Sequence, residues 1–250
     1  MKISEKMRIV NASDLRSPKT LLCFDLDGTL SQHKSHMPAE NKAVLRRLDE
    51  KYKLIMVGAG NAPRIYNQME QFPIDILANY GMQESAMVDG EFRIIREDTV
   101  LPDKDYFNET CQYLREKYGY TEYAGGHLEF HPSGMVTFCL IGSGARVEAK
   151  VVFDPDRSKR RVLYDEVCSL FPDHVVYIGG SSSFDFAPKK YNKYDAIMKY
   201  ASEHGYTEED ILFIGDDFGD GGGDSHVRIK GMDYIQVDDY RKLPEILEFL

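Results

Sequence analysis

The sequence predicts an α/β protein with a Rossmann-like parallel-sheet core and an inserted α+β cap domain. Residues 21–30, LLCFDLDGTL, form a short apolar run closed by Gly28, which is typical of a strand buried on both faces of a parallel sheet. Segments with strand and helix patterns alternate on either side of this run, as in βαβ units. Near residue 85 this alternation gives way to hairpin signals, which indicate an insertion.

The predicted core domain comprises residues 1–84 and 188–250. Pro38 suits the first turn of a helix, and the strand and helix patterns that follow it alternate regularly. The predicted core elements after the first strand are helix 39–51, strand 53–57, helix 63–70, strand 74–78, helix 191–203, strands 211–214 and 234–237, and a last helix ending at residue 250.

The predicted inserted domain comprises residues 85–187. It opens with Asp89-Gly90 between two short apolar runs, which is a strong hairpin signal. Its remaining predicted elements are helix 103–118, strands 127–130 and 135–141, helix 156–170, and strands 175–178 and 183–187. Strands joined by hairpins and interleaved with helices favour an α+β domain.

Composition limits the partners and the compartment. The 250 residues are 42% hydrophobic and carry a formal net charge of -10, which argues against nucleic-acid binding because phosphate neutralisation needs clustered cations. The amino terminus is too polar for a signal peptide, and no apolar run is long enough to span a membrane. The four cysteines have no metal-ligand spacing, so we expect reduced thiols of a cytoplasmic protein.

Asp25 and Asp27 are the first candidate catalytic residues. Their spacing in an extended chain directs both side chains to one side, at the carboxyl end of the strand where open α/β sheets bind ligands. The alternative is an ordinary Asp-Gly turn that ends a strand. However, Asp-x-Asp-Gly-Thr fixes four positions, which favours a chemical role over a simple turn.

A second acidic segment, IGDDFGDGGGD at residues 214–224, follows another apolar strand. Two carboxylates at one site would repel an anionic substrate without a bridging hard cation, and Mg²⁺ prefers oxygen ligands. The alternative is a solvated acidic turn. An EF-hand is excluded because the twelfth position from Asp216 is Val227, and no Gly-Lys-Ser/Thr sequence supports a nucleotide P-loop.

The Asp-x-Asp-Gly-Thr motif and the acidic segment resemble the first and last motifs of the haloacid dehalogenase superfamily of phosphotransferases. The resemblance implies that Asp25 is a nucleophile that forms an aspartyl-phosphate and that Asp27 is the general acid and base. It also implies a Mg²⁺ site formed by Asp25 and Asp27, with Asp216 as a direct ligand and Asp224 as an indirect one. Lys193 matches the lysine motif, with Lys189 and Lys190 as alternatives.

A narrower resemblance covers about residues 20–250. The segment 179–193, GGSSSFDFAPKKYNK, is similar to the corresponding segment of eukaryotic-type phosphomannomutases. This resemblance implies that Ser183 and Asp185 bind sugar hydroxyls. The alternative is an alternating strand whose polar side faces water. The family also implies a hexose phosphate substrate and a homodimer formed through the cap.

The chain departs from the family where arginines should grip the distal phosphate. Lys34, His131 and Ser143 stand at those positions, and Gly58-Ala59-Gly60-Asn61 lacks the usual hydroxyl of the second motif, which leaves backbone N–H groups or Asn61 to hold phosphoryl oxygens. Arg146 and Lys150 remain as cap cations, at i and i+4 of one helical face.

Three functions therefore stay open. The first is a phosphomannomutase-type enzyme that interconverts hexose 6-phosphate and 1-phosphate. The second is a sugar-phosphate phosphatase, and the third is a non-catalytic sugar-phosphate sensor, against which the four residues Asp25, Asp27, Lys193 and Asp216 argue.

Overall fold

A computed structural model describes residues 8–250, and within them the chain forms eleven strands and eight α-helices. The strands are β1 Leu21–Phe24, β2 Lys53–Val57, β3 Asp75–Ala78, β4 Gln83–Val88, β5 Glu91–Glu97, β6 Leu128–Phe130, β7 Val136–Cys139, β8 His174–Tyr177, β9 Ser183–Pro188, β10 Ile211–Gly215 and β11 Tyr234–Gln236. The helices are α1 Ala39–Asp49, α2 Ala62–Gln68, α3 Lys104–Tyr118, α4 Val147–Phe153, α5 Ser158–Leu170, α6 Lys193–His204, α7 Ser225–Lys230 and α8 Leu243–Ile246.

The chain divides into two compact units. The first unit contains the chain up to Glu97 together with Asn192–Asp220 and Asp224–Leu250, and the second contains Asp98–Tyr191 and Gly221–Gly223. The first unit is built on a seven-stranded sheet in the order β11-β10-β1-β2-β3-β4-β5. The five strands from β11 to β3 are parallel, and β4 and β5 extend the sheet as an antiparallel edge.

Strand β1 lies at the centre of the parallel strands, and all four of its residues are buried. Leu22 and Phe24 pack into the apolar cluster that includes α1, α2 and α8, whereas Leu21 and Cys23 pack into the cluster that includes α6 and α7. Successive side chains of a strand point to opposite faces, so a sheet with helices on both faces needs a continuously apolar strand. This confirms the predicted α/β fold class.

The second unit is a four-stranded antiparallel sheet in the order β6-β7-β9-β8. Helices α3 and α5 cover one face, where Phe107, Phe171 and Phe186 belong to a shared apolar core. Helix α4 has no buried residues. The other face of the sheet therefore carries the polar residues of the alternating strands.

The predicted domain boundary at residue 85 is wrong about one hairpin. The Asp89-Gly90 turn does form a hairpin, with φ values of 53° and 80°, as the primed turns of two-residue hairpins require. However, β4 pairs with β3 and so continues the seven-stranded sheet of the first unit. The local turn signal identified the hairpin but carried no information about the sheet that it joins.

Two helices, α4 and α7, were not among the predicted elements, and the last helix is a short one that ends at Ile246. Helices of six or seven residues have too little sequence to show a clear periodicity. Among residues 8–250, no helix is long and apolar enough to cross a bilayer. The prediction about a signal peptide rests in part on residues 1–7, which lie outside the described residues.

Candidate active site

The loop after β1 presents Asp25 at the carboxyl end of the parallel sheet. The amide of Asp25 still donates to the carbonyl of Ile214 on β10, 2.9 Å away, so Asp25 is held in line with the buried strand. Its side chain is largely buried, with 7% of the residue exposed. Strand β10 ends at Gly215, so Asp216 follows at the adjacent strand end. The parallel register thus brings the two predicted acidic motifs together.

Lys193, the first residue of α6, joins these motifs. Asn192 caps the helix by accepting a hydrogen bond from the amide of Asp195 at 2.9 Å. The Lys193 ammonium lies 2.5 Å from Asp25 Oδ1 and 2.6 Å from Asp224 Oδ1, and the residue is only 3% exposed. Of the three lysines that the sequence left open, Lys193 therefore contacts the predicted nucleophile, whereas Lys189 and Lys190 are exposed in the second unit.

Three carboxylates gather around this lysine. Ligand atoms of Asp25, Asp216 and Asp224 lie within 4.8 Å of one another, and all are oxygens. Such a compact, mostly buried set of hard ligands with a single compensating lysine fits Mg²⁺. The Asp27 carboxylate, which was also predicted as a ligand, is not part of this group.

The pKa values of the group reflect its excess negative charge. Burial, together with the charges of Asp25 and Asp224, raises the pKa of Asp216 to about 9. Burial also raises the pKa of Asp224, to about 6, although Lys193 opposes the shift. For Lys193 burial acts against the charged form, yet Asp224 and Asp25 outweigh it and raise the lysine pKa well above its usual value. A divalent cation would relieve this repulsion.

Asp224 has contacts that suit an indirect role. Its Oδ2 accepts hydrogen bonds from the amides of Asp216 at 3.1 Å and Asp217 at 3.0 Å, while Oδ1 receives Lys193. The residue is completely buried. Asp224 therefore orders the loop that carries Asp216 as well as the lysine.

Asp27 has its own set of polar partners in the first unit. Its carboxylate accepts hydrogen bonds from Gln68 Nε2 at 2.6 Å, the Lys34 amide at 2.8 Å and the Arg64 guanidinium at 3.1 Å. Burial alone would raise its pKa, but the Gln68 hydrogen bond, the Arg64 charge and the Lys34 amide together lower it. In this arrangement Asp27 is an ionised carboxylate, which suits a base that must gain a proton before it acts as an acid.

Sequence reasoning assigned no role to Thr29, Arg64 or Gln68. Thr29 donates to Asp216 Oδ1 at 3.0 Å and links the two acidic motifs. Arg64 and Gln68 stand four residues apart on α2 and hydrogen-bond to each other at 3.1 Å. A polar pair at i and i+4 on an otherwise apolar helix face was the available signal, because such residues are adjacent on a helix.

The position of Gly28 requires glycine because of its backbone conformation and because Asp216 lies close to it. Its φ is +98°, and a Cβ there would lie 2.3 Å from Asp216 Oδ2. A larger residue would therefore displace a candidate metal ligand as well as strain the turn.

Ser183 and Asp185 lie on the polar face of the second unit's sheet. Asp185 on β9 is flanked by Thr137 on β7, whose hydroxyl donates to Asp185 Oδ1 at 2.8 Å. Thr137 is in turn flanked by Glu129 on β6. Their opposite-facing neighbours Phe184 and Phe186 are fully buried in the core. The structure therefore places the two predicted sugar-binding residues on one face, beside a second carboxylate.

The other residues predicted to bind the substrate lie outside the strands of this sheet. Lys150 Nζ donates to the Ser143 carbonyl at 2.7 Å, and Arg146 is exposed at the start of α4. His131 Nε2 lies 3.0 Å from the Thr137 hydroxyl. In the first unit the side chain of Lys34 is exposed, and its amide is the group that binds Asp27.

Asn61 was an alternative for holding phosphoryl oxygens in the second motif. In the structure its side-chain oxygen accepts the Arg64 amide at 2.9 Å and so caps α2. The capping contact occupies the oxygen, which is the usual behaviour of asparagine before a helix.

Comparison with curated proteins found relatives of similar length. The chain is 28% identical over 255 residues to a phosphomannomutase of Drosophila melanogaster, covering 94% of this chain and 98% of that protein. It is 26% identical over 253 residues to a phosphomannomutase of Encephalitozoon cuniculi, covering 93% and 95%. No protein-family model matches the chain.

Solved structures share the fold at lower sequence identity. A haloacid dehalogenase-like hydrolase from B. subtilis superposes with a TM-score of 0.60 at 15% identity, covering 93% of this chain and all of that one. An IMP-nucleotidase of Plasmodium falciparum gives a TM-score of 0.65 at 13% identity, covering 95% of this chain and 69% of that one. The chain is thus an enzyme that resembles phosphomannomutases in sequence and haloacid dehalogenase-like hydrolases in fold, and these likenesses support a phosphotransferase or a phosphatase.

Proposed function

We propose that this enzyme is a Mg²⁺-dependent phosphotransferase of phosphomannomutase type that interconverts hexose 6-phosphate and hexose 1-phosphate, with mannose as the leading sugar. The observation that carries the proposal is the buried contact of Lys193 with both Asp25 and Asp224, beside Asp216. A nucleophilic carboxylate beside a cation and further oxygen ligands can accept a phosphoryl group and stabilise its charge.

In the proposed reaction, the ionised Asp27 first takes up a proton from water. An Asp25 oxygen then attacks phosphorus, and the sugar oxygen leaves with the proton from Asp27. Asp27 then removes a proton from the acceptor hydroxyl, which attacks the aspartyl-phosphate and regenerates Asp25. Lys193 neutralises Asp25 throughout. Asp25, Asp216 and, indirectly, Asp224 would hold Mg²⁺, which supplies charge stabilisation to the phosphoryl oxygens when bound.

The second unit would supply sugar specificity through Ser183 and Asp185, which offer a hydroxyl and a carboxylate on one face. Arg146 and Lys150 are the proposed contacts for the distal phosphate there, and Lys34 is a further candidate in the first unit. Homodimerisation through the second unit and a cytoplasmic location remain predictions. Sedimentation analysis of the purified protein tests the former.

A sugar-phosphate phosphatase is the second candidate, and one observation favours it. The polar face around Thr137 holds two carboxylates, Glu129 and Asp185, and has His131 where the related enzymes were expected to have arginine. An acidic face holds a second phosphate weakly, because like charges repel and lysine or histidine lacks the paired donors of arginine. Water could then replace a sugar hydroxyl as the acceptor.

One incubation separates the two activities. The protein is mixed with Mg²⁺, mannose 1-phosphate and a catalytic amount of a hexose 1,6-bisphosphate, and mannose 6-phosphate and inorganic phosphate are measured together. Mannose 6-phosphate in excess, reduced in Arg146→Ala, supports the mutase. Inorganic phosphate equal to the substrate consumed, without mannose 6-phosphate, rejects the mutase in favour of the phosphatase.

The role assignments have their own test. Asp25→Asn should remove turnover without unfolding the protein, and Asp27→Asn should slow it by the ~10²–10⁴-fold typical of general acid–base groups. Phosphate trapped on a peptide containing a modified Asp27 and an unmodified Asp25 would reverse the assignment. Full activity in excess chelator would reject the role of Mg²⁺.

A further inference from the structure

Two arginines are almost completely buried in the second unit, Arg115 at 0% and Arg160 at 1% exposure. Burying a guanidinium costs free energy unless its donors are satisfied and its charge is compensated. Arg115 donates to the carbonyls of Tyr120, Cys139 and Leu140. Arg160 has a different set of partners. They are Asp154, four residues before α5 begins, and the carbonyls of Gly179, Gly180 and Ser183.

Asp154 compensates and orients Arg160. Its Oδ2 accepts from Arg160 Nε at 2.7 Å, and its carboxylate also accepts the amides of Lys159 at 2.9 Å and Arg160 at 3.1 Å. Burial would raise the pKa of Asp154, but these hydrogen bonds and the arginine charge lower it, so the residue stays ionised. The guanidinium is therefore fixed at the amino-terminal end of α5.

The Nη1 end of the Arg160 guanidinium binds the loop before β9. Arg160 Nη1 donates to the carbonyls of Gly179 at 2.7 Å, Gly180 at 3.1 Å and Ser183 at 3.1 Å. Gly179 and Gly180 lie in the loop that leads into β9, and Ser183 is the first residue of that strand. Nη1 has two N–H bonds that these three carbonyls share, and together the contacts restrain the path of the loop.

That path determines where two candidate substrate-binding side chains lie. Ser183 Oγ donates to the Gly179 carbonyl at 3.1 Å. The position of this hydroxyl therefore depends on the loop that Arg160 holds. Gly179 also lies against Asp185, because a Cβ on Gly179 would be 1.8 Å from Asp185 Oδ2. A shift of the loop would therefore move the Ser183 hydroxyl and open space for Asp185 to turn.

We propose that Arg160, oriented by Asp154, is a positioning residue that fixes Ser183 and Asp185 for recognition of the sugar hydroxyls of the substrate. The inference rests on the proposed function and adds a specificity determinant outside the reacting centre. Arg160 does not contact the sugar. It acts by holding the loop in its binding geometry, so that the substrate does not have to order it.

The test compares Arg160→Met with Arg115→Met. Each change removes a buried guanidinium that donates to three carbonyls in the same unit, but only Arg160 donates directly to Gly179, Gly180 and Ser183. Arg115 instead binds the end of β7 and the Tyr120 carbonyl. Turnover is measured with Mg²⁺ on mannose 1-phosphate plus a catalytic amount of a hexose 1,6-bisphosphate, as total substrate consumed. It is also measured with Mg²⁺ on p-nitrophenyl phosphate, which has no sugar. Thermal unfolding of each variant reports the loss of stability separately.

We expect Arg160→Met to lower kcat/KM for mannose 1-phosphate relative to p-nitrophenyl phosphate by roughly 10–100-fold, the range typical of residues that orient a site from outside. The loss should fall mainly on KM. Arg160→Lys should recover only part of it, because lysine keeps the charge but not the forked donors. Arg115→Met should leave the ratio of the two substrates unchanged even if it lowers the unfolding temperature as much.

Equal ratios in Arg160→Met and Arg115→Met would overturn the positioning role while leaving the proposed function intact. A wild-type protein that consumes neither ester would instead reject the proposed function. If Arg160→Met does not fold, Asp154→Asn carries the test, because it keeps the shape of the side chain and removes the charge that orients Arg160. A substrate ratio in Asp154→Asn equal to that of wild type would then overturn the proposal.

Discussion

Replacing Asp216 by asparagine should stabilise the metal-free protein and remove most of its stabilisation by Mg²⁺. Asp216 shares a mostly buried site with Asp25 and Asp224, and Lys193 is the compensating cation of the group. The change keeps nearly the same shape and replaces a carboxyl that must hold a proton or ionise against its neighbours with a group that does neither. The free energy of unfolding therefore reports the repulsion that the cation would relieve.

The size of the effect follows from the distances. Two unit charges 4.8 Å apart, the upper limit within this group, repel by about 3.5 kcal/mol at an effective dielectric constant of about 20. Asp216 meets two such carboxylates and is attracted by one lysine, so about one repulsive pair remains. At pH 9, where Asp216 ionises, we expect Asp216→Asn to gain about 2–4 kcal/mol in chelator, or roughly 5–10 °C in unfolding temperature.

The raised pKa of Asp216 determines how this stability difference changes with pH. The folded-state pKa of Asp216 is about 9, above the value of 3.8 for an unperturbed carboxyl. The folded protein thus holds a proton that the unfolded chain has lost, and the stability from this proton, complete below about pH 4, is lost as the pH rises toward 9. The advantage of Asp216→Asn in chelator should therefore be largest near pH 9 and absent near pH 4.

Calorimetry at pH 5, 7 and 9, with Mg²⁺ or with chelator, measures both effects. Asp220→Asn is the matched control, because Asp220 lies in the same loop with 81% of its side chain exposed. Mg²⁺ should raise the unfolding temperature of wild type and of this control, and much less that of Asp216→Asn. An Asp216→Asn variant no more stable than wild type at pH 9 in chelator would refute the reasoning.

Three further changes test the rest of the site. Arg64→Met should raise the pKa of Asp27, so the limb of the pH–rate profile that reports Asp27 should move to higher pH. Arg64→Lys should move it less. An unmoved limb in Arg64→Met would show that the Arg64 contact at 3.1 Å does not change the pKa of Asp27. Gly28→Ala should raise the Mg²⁺ concentration needed for half-maximal activity, because the new Cβ displaces Asp216; an unchanged requirement would contradict the close contact. Lys193→Met should lower the free energy of unfolding in urea by about 3–5 kcal/mol, the usual cost of leaving buried partners unpaired, whereas Lys199→Met on the exposed part of the same helix should change it little.

Local sequence signals predicted most of the helices and strands and the motifs of the first unit. The apolar run of β1 and the Asp-Gly turn of the β4–β5 hairpin depend on neighbouring residues alone, so a single sequence predicts them. The sequence alone likewise shows the spacing of Asp25 and Asp27 and the acidic segment after β10, because each is a contiguous motif. Because parallel strands end at one edge of a sheet, their meeting near Lys193 was predictable too.

Tertiary structure decided what depends on partners distant in the chain. Only the fold separates Lys193 from Lys189 and Lys190, since three nearby lysines have similar local patterns and only one is directed at Asp25. The same holds for Asp27, whose contacts with Arg64 and Gln68 span about forty positions and set its charge state. Arg160 gives the clearest case, because a basic residue on an amphipathic helix is usually exposed, and its burial against the Gly179 loop follows from how α5 packs beside β9. The periodicity of the sequence specifies which face of a helix or strand is apolar. Only the packing of elements distant in the chain specifies which polar side chains become buried.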